Sequence, residues 1–114
     1  MARSSEFVEF VLEGLQPLGG VSARRMFGGF GIYKDGVMFA LIADDQLYFK
    51  IDDGNRAAYE DAGLPHFTYT DKGRPIRMSY RAAPSEGFDD PDILCAWARE
   101  AYAAALRTRA HKRR

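Results

Sequence analysis

The apolar positions near the amino terminus recur with the spacing of an amphipathic helix. The residues on this face are Phe7, Val8, Val11, Leu12 and Leu15. Ser4 or Ser5 is expected to cap the helix. The helix is expected to end around Gln16, because the residue before a proline is pushed out of the α region.

The pattern then changes to short apolar runs separated by turn-forming residues. Residues 30–33, 37–43 and 47–51 are predicted to be strands. Asp35 and Gly36 predict a two-residue hairpin turn, since both tolerate positive φ. This turn places Ile32 opposite Phe39, and it also places Phe30 opposite Leu41.

The second turn of this region is predicted from the hydrophobic pattern. A three-residue loop over residues 44–46 keeps the large apolar side chains of residues 47–51 on the same face as those of the first two strands. A two-residue loop would bring Tyr48 and Lys50 onto that face, because a one-residue slip reverses every side chain. The three-residue loop is therefore preferred.

The second half of the chain predicts two further helices and two strands. Residues 55–62 are predicted to form a short helix with Asp53 as its cap and Gly63 as its end. Residues 67–70 and 76–80 alternate with period two and form a second hairpin or two edge strands. The last helix is expected to begin with a cap at Asp90 and Pro91 in its first position.

The order of these elements predicts an α+β fold. Its antiparallel β-sheet has about five strands, and N-terminal, middle and C-terminal helices pack on the sheet. A single domain is expected over residues 1–106, followed by a flexible basic tail over residues 107–114. The middle strand, 37–43, is apolar on both faces, so either a helix or a second subunit in a homodimer is expected to cover its second face.

The residue types that usually carry catalysis occur where structural roles are expected. The acidic pairs at 44–45, 52–53 and 89–90 lie at predicted turns and helix caps. Neither His66 nor His111 belongs to a recognisable catalytic motif. Cys95 is expected to be a small buried apolar residue on the last helix. We therefore predict no catalytic residues, no metal site and no cofactor.

The net charge of zero is the sum of two unlike segments. The chain has sixteen basic and sixteen acidic residues. Residues 1–106 contain eleven of the basic residues and all the acidic ones, so this part carries a net charge of minus five. The tail carries plus five, from Arg107, Arg109, Lys112, Arg113 and Arg114. Such a tail is expected to be solvated or to make salt-dependent phosphate contacts.

A second group of candidate binding residues surrounds a glycine pair. Arg24 and Arg25 precede Gly28 and Gly29, and two guanidinium groups beside flexible backbone could clamp a phosphate or a carboxylate. Pairing of one arginine with a carboxylate at the edge of the core is the alternative. The glycines are expected to form a β-bulge or a sharp strand bend. Tyr80 completes this set of candidates.

The chain carries no pattern of a membrane or secreted protein. Its longest apolar stretch, 37–43, is too short to span a bilayer, and its single cysteine cannot form an intramolecular disulfide. A cytoplasmic location and no membrane partner are expected.

Several motifs resemble the N-terminal domain of the TfoX/Sxy family, which is associated with natural competence in bacteria. The most specific is the Arg-Met-Phe-Gly-Gly run at 25–29, within a similar stretch over 23–33. Others lie at 35–42, 47–51, 72–73 and 78–80, with Pro84. The similarity extends over about residues 7–106. It implies a small α+β domain with an antiparallel sheet, and it supplies no catalytic residues.

Three functions follow from these observations. The resemblance implies a non-enzymatic regulatory or protein-interaction module that acts through a transcription-related protein partner. The alternative is a protein that contacts nucleic acid weakly through Arg24, Arg25 and the basic tail. A small-ligand binder or enzyme with a pocket near Arg24, Arg25, Gly28 and Tyr80 is the third hypothesis.

Overall fold

Six antiparallel strands form one sheet in the computed structural model, which describes residues 2–26 and 28–112. The elements are α1 (Ala2–Gly14), β1 (Val21–Met26), β2 (Gly29–Lys34), β3 (Val37–Ala43), β4 (Gln46–Lys50), α2 (Arg56–Ala62), β5 (His66–Asp71), β6 (Arg74–Ala82) and α3 (Pro91–Lys112). The strand order is β1-β2-β3-β4-β6-β5, so β1 and β5 are the edges. The predicted α+β class is confirmed.

One face of the sheet forms the hydrophobic core with α1 and α3. The sheet supplies Ile32, Phe39, Ala40, Ile42, Leu47 and Phe49, and the helices supply Val8, Val11, Leu15, Leu94, Ala98 and Ala101. Small alanine side chains let α3 pack closely on β3 and β4, which lie in the middle of the sheet. This arrangement leaves the opposite face of the sheet to form the site described below.

The first helix is longer at its start than the pattern predicted. It begins at Ala2, so the predicted caps at Ser4 and Ser5 are wrong. It ends at Gly14, and a 3₁₀ turn (Gln16–Leu18) with Pro17 near its start follows, close to the predicted end. Among the described residues, no helix combines the length and the apolar character that crossing a bilayer requires.

β1 is a strand that the sequence pattern did not predict, which raises the number of strands from about five to six. It pairs with β2 and ends where Met26 faces Gly29. Gly28, which lies in the connection between the two strands, has a φ of 75°. Gly28 thus lies in a hairpin connection and Gly29 begins β2, and the expected bulge or bend at this place is wrong.

The turn at Asp35 and Gly36 is confirmed, but the predicted register beyond it is wrong. Both residues have positive φ, 51° and 82°, and Lys34 faces Val37. A bulge then interrupts the pairing, so Ile32 faces Ala40 and no longer Phe39.

The same bulge explains why the predicted three-residue loop between β3 and β4 is wrong. Ala43 faces Gln46, which leaves a two-residue turn at Asp44 and Asp45, both with positive φ. The bulge shifts the register of β3 by one residue, and the turn is one residue shorter than predicted. The two changes cancel in their effect on which face the β4 side chains occupy. Leu47 and Phe49 therefore still point into the core.

The helix and the two strands predicted over residues 55–80 are confirmed, with one exception at the cap of α2. The Asp53 carboxylate does not cap α2; Asn55 precedes the helix, and the Asp52 carbonyl accepts the Arg56 N–H at 3.0 Å. Gly63 ends the helix in the left-handed conformation, with φ 66°. β5 and β6 form the predicted hairpin through a two-residue turn, 72–73.

The last helix begins as predicted. The Asp90 carboxylate accepts the N–H of Asp92 at 3.0 Å, and Pro91 occupies the first helical position. The helix continues to Lys112, so residues 107–112 are its final turns. Arg113 and Arg114 lie outside the described residues.

Candidate functional site

The face of the sheet opposite α1 and α3 contains a cavity of about 410 Å³. Strands from both halves of the sheet line it, including the ends of β1 and β2 and the edge hairpin of β5 and β6. We call this cavity the methionine hollow and define it by Met26, Met38, Leu41, Phe67, Thr70 and Met78. Its volume lies in the range of ligand-binding pockets.

The absence of a side chain at Gly31 makes room for two methionines. A Cβ at this position would lie 2.6 Å from the Met26 sulfur and 3.2 Å from the Met38 sulfur. Both sulfurs therefore lie directly over the β2 backbone. Thioether side chains are unbranched and polarizable, so they adapt to apolar groups of different shape. The hollow is a surface suited to apolar partners.

A second depression lies between the sheet and the last turns of α3. It has a volume of about 310 Å³, and its polar and charged lining residues are Lys50, Tyr80, Thr108 and Arg109. We call it the basic groove. Met38 lines both the groove and the methionine hollow, so the two depressions adjoin at this residue.

The polar groups of the basic groove are held in place by neighbouring strands. The Lys50 ammonium donates to Ser79 Oγ at 2.7 Å and lies 5.4 Å from the centre of the Tyr80 ring. Burial, together with a smaller contribution from nearby Tyr33, raises the pKa of Tyr80 to about 12. Tyr80 is therefore a neutral hydroxyl near pH 7. The charge of the groove comes from Lys50 and Arg109.

The five predicted binding candidates near the glycine pair do not form one clamp. The Arg24 guanidinium lies 5.1 Å from the Tyr33 ring centre, whereas that of Arg25 lies 5.1 Å from the Phe30 ring centre. Consecutive residues of a strand point to opposite faces, so the two arginines do not converge on one ligand. Gly28 and Gly29 line the methionine hollow, and Tyr80 lines the basic groove.

The predicted tail residues also have different environments. Arg107 donates from Nε to Asp52 Oδ2 at 2.6 Å and from Nη2 to Asp52 Oδ1 at 2.8 Å. Arg109 lines the basic groove. Lys112 is the last residue of α3, and the remaining two arginines are not described. Arg109 is thus the tail residue that the fold brings to the candidate site.

The Asp52–Arg107 ion pair makes stability depend on pH. Hydrogen bonding to Arg107 is the largest cause that lowers the pKa of Asp52. A carboxyl with a lowered folded-state pKa stabilises the fold above its unfolded-state pKa of about 4, and this contribution disappears as the pH falls through the folded-state value.

We expect Asp52→Asn to reduce the free energy of unfolding by about 0.5 to 1 kcal/mol at pH 7, because the pair is partly exposed. Urea unfolding followed through the single tryptophan, Trp97, measures this difference. The difference between the two proteins should decrease as the pH is lowered from about 5 toward 3. A difference that does not change with pH would contradict the assigned ion pair.

Several of the groups considered for catalysis have structural roles. Asp44 and Asp45 form a turn, and Asp90 caps α3. Cys95 is 2% exposed, donates to the Gly14 carbonyl at 3.2 Å, and has its thiol pKa raised by burial. The described residues contain no group of three or more His, Cys, Asp or Glu side chains able to hold a metal ion.

The sequence analysis missed the three methionines and Lys50 as site residues. Met38 and Met78 lie on predicted strands, whereas Met26 lies outside every strand that the pattern predicts. Lys50 was considered only as a residue that would disturb the core face. Their convergence depends on long-range strand pairing, which local patterns do not contain.

The fold and the site define a small α+β domain with an apolar hollow on the sheet face away from α3 and an adjoining cationic groove beside the last turns of α3. The TfoX N-terminal domain model matches residues 13–105, and the chain belongs to this family. DNA transformation protein TfoX1 of Aliivibrio fischeri (strain ATCC 700601 / ES114) is 30% identical over 66 residues. These residues cover 58% of this chain and 32% of that protein, so the similarity spans about a third of the relative's length.

Proposed function

We propose that this domain is a non-enzymatic protein-interaction module with a regulatory role in DNA transformation. The observation that carries the proposal is the methionine hollow, a concave apolar surface on the sheet face that α1 and α3 do not cover. Exposed apolar concavities of this kind mark binding sites, and methionine-rich ones accept varied partners. The name of the TfoX1 relative supports the link to transformation.

The partner in this proposal is a protein that acts in transcription, and the place of action is the cytoplasm. The side chains of the hollow offer packing and hydrogen bonds, and those of the groove offer cations. These groups recognise a partner without making or breaking bonds. The single, buried cysteine suits a reducing compartment.

A genetic test separates this proposal from a purely structural role of the hollow. In the organism that encodes the chain, deletion of the gene should lower the transformation frequency, and the wild-type gene should restore it. Met38→Glu places a charge where the hollow and groove meet and should fail to restore the frequency, whereas Met38→Leu should restore it. Purified variants are checked for folding by circular dichroism. An unchanged transformation frequency after deletion would contradict the proposal.

Contact with nucleic acid is the second candidate function. It is favoured by the position of Lys50 and Arg109 in one groove and by Arg24 on the edge strand. A gel-shift assay at about 50 mM salt should then show binding that Arg109→Ala weakens and that decreases as salt is raised. Arg99→Ala, an exposed arginine of the same helix outside the groove, is the matched control. Equal binding by both variants would exclude the groove as the contact.

A further inference from the structure

We infer that the methionine hollow and the basic groove together bind a short acidic segment of a partner protein. Apolar side chains of the segment lie in the hollow, and one or two of its carboxylates meet Lys50 and Arg109. The inference rests on the proposed function and specifies the chemistry of the partner.

The adjacency of the two depressions at Met38 determines the arrangement of the partner's groups. Met38 lines both, so a segment that packs against Met38 in the hollow lies next to the groove. The apolar walls of the hollow, formed by Met26, Leu41 and Phe67, favour aliphatic or aromatic groups. The Tyr48 ring packs against Phe67 with 4.9 Å between ring centres and supports this wall.

The charges around the surface determine the sign of the partner. Lys50 and Arg109 lie in the groove, whereas Asp44 lies at the lining of the hollow. Residues 1–106 as a whole carry a net charge of minus five. An acidic segment is therefore repelled by most of the domain and attracted at the groove, which favours one orientation of binding.

A nucleic-acid strand fits this surface less well than a peptide. A strand presents a phosphate at each nucleotide, and each phosphate requires a cationic or hydrogen-bonding contact along its path. The hollow offers apolar groups and the Asp44 carboxylate along most of that path. A peptide alternates apolar and acidic side chains and can match both halves.

Two labelled peptides test the inference directly. Both carry the same Leu and Phe positions, and the other positions are Glu in one peptide and Lys in the other. Fluorescence anisotropy with the full chain should show that the Glu peptide binds about tenfold more tightly, a ratio that decreases with salt. Methionine methyl signals in ¹³C NMR should shift with the Glu peptide, since Met26, Met38 and Met78 line the hollow.

Substitutions then test the contributions of the groove and the hollow separately. Arg109→Ala should lower affinity for the Glu peptide several-fold, whereas Arg99→Ala on the same helix should leave it unchanged. Met38→Glu should abolish the shifts at Met26 and Met78, and Met38→Leu should preserve them. Equal or tighter binding of the Lys peptide, or methionine signals that neither peptide shifts, would overturn the inference. A gel shift with nucleic acid that displaces the Glu peptide would also overturn it. The transformation assay decides the proposed function separately, because it depends on neither peptide.

Discussion

Replacing Gly29 with alanine is expected to lower the free energy of unfolding by about 3 kcal/mol. A Cβ at this position would lie 2.1 Å from the Ile42 carbonyl oxygen and 3.2 Å from the Ile42 carbonyl carbon. Both atoms belong to the backbone of β3, which cannot move without disturbing the pairing of Phe30 with Ile42. The added methyl group must therefore displace a central strand.

Gly63→Asn is the matched control for this change. Gly63 has a φ of 66°, and a Cβ there would meet nothing within 4 Å. Asparagine tolerates the left-handed conformation, so we expect a loss below about 1 kcal/mol. Urea unfolding of the three proteins, followed by circular dichroism, gives the comparison. If Gly29→Ala is as stable as the wild type, this result would contradict the close approach of Gly29 to the Ile42 carbonyl.

Gly28 and Gly29 have structural roles that differ from those predicted from the sequence. The sequence alone predicts a β-bulge or strand bend at the glycine pair, with flexible backbone beside a phosphate or carboxylate clamped by Arg24 and Arg25. In the structure, Gly28 is required by a positive φ in a turn, and Gly29 by the closeness of the neighbouring strand. Both glycines line the methionine hollow. Their role there is to allow the β1–β2 hairpin to form beside β3.

Features encoded by a few neighbouring residues could be predicted from the sequence. The turn at Asp35 and Gly36, the end of α2 at Gly63 and the start of α3 at Asp90 each depend on local conformational preferences. The buried stripe of α3, including Leu94 and Ala98, follows from helical periodicity. These predictions are confirmed because no distant contact overrides them.

Features that depend on pairing between strands could not be predicted in the same way. The bulge opposite Ile32 changes the register without a glycine or proline to mark it. β1 alternates only weakly between apolar and polar residues, and its pairing with β2 compensates for this. The basic groove joins Lys50 of β4 to Arg109 of α3, whose proximity depends on the packing of α3 on the sheet.

The buried arginine of β6 is the second position where a large effect is expected. Arg81 is 7% exposed, and its Nε and Nη2 donate to the Leu64 carbonyl at 2.8 and 2.5 Å. Its Nη1 donates to Glu60 Oε2 at 2.8 Å. These bonds connect the end of α2 to the sheet.

We expect Arg81→Met to lower the free energy of unfolding by about 2 to 3 kcal/mol. Methionine fills most of the space, but the Leu64 carbonyl loses its two side-chain donors while remaining partly buried. Glu60→Gln should cost less than about 1 kcal/mol, because the Glu60 side chain is 59% exposed and water can replace the lost charge interaction.

The ratio of these two losses tests which bonds of Arg81 stabilise the fold. If Glu60→Gln costs as much as Arg81→Met, the ion pair and not the carbonyl contact is the important interaction. Tyr80, the residue before Arg81, lines the basic groove. Loosening of β6 should therefore also change the position of Tyr80 in the groove. Arg81→Met is therefore expected to weaken binding of the Glu peptide as well as stability, whereas Glu60→Gln should leave that binding unchanged.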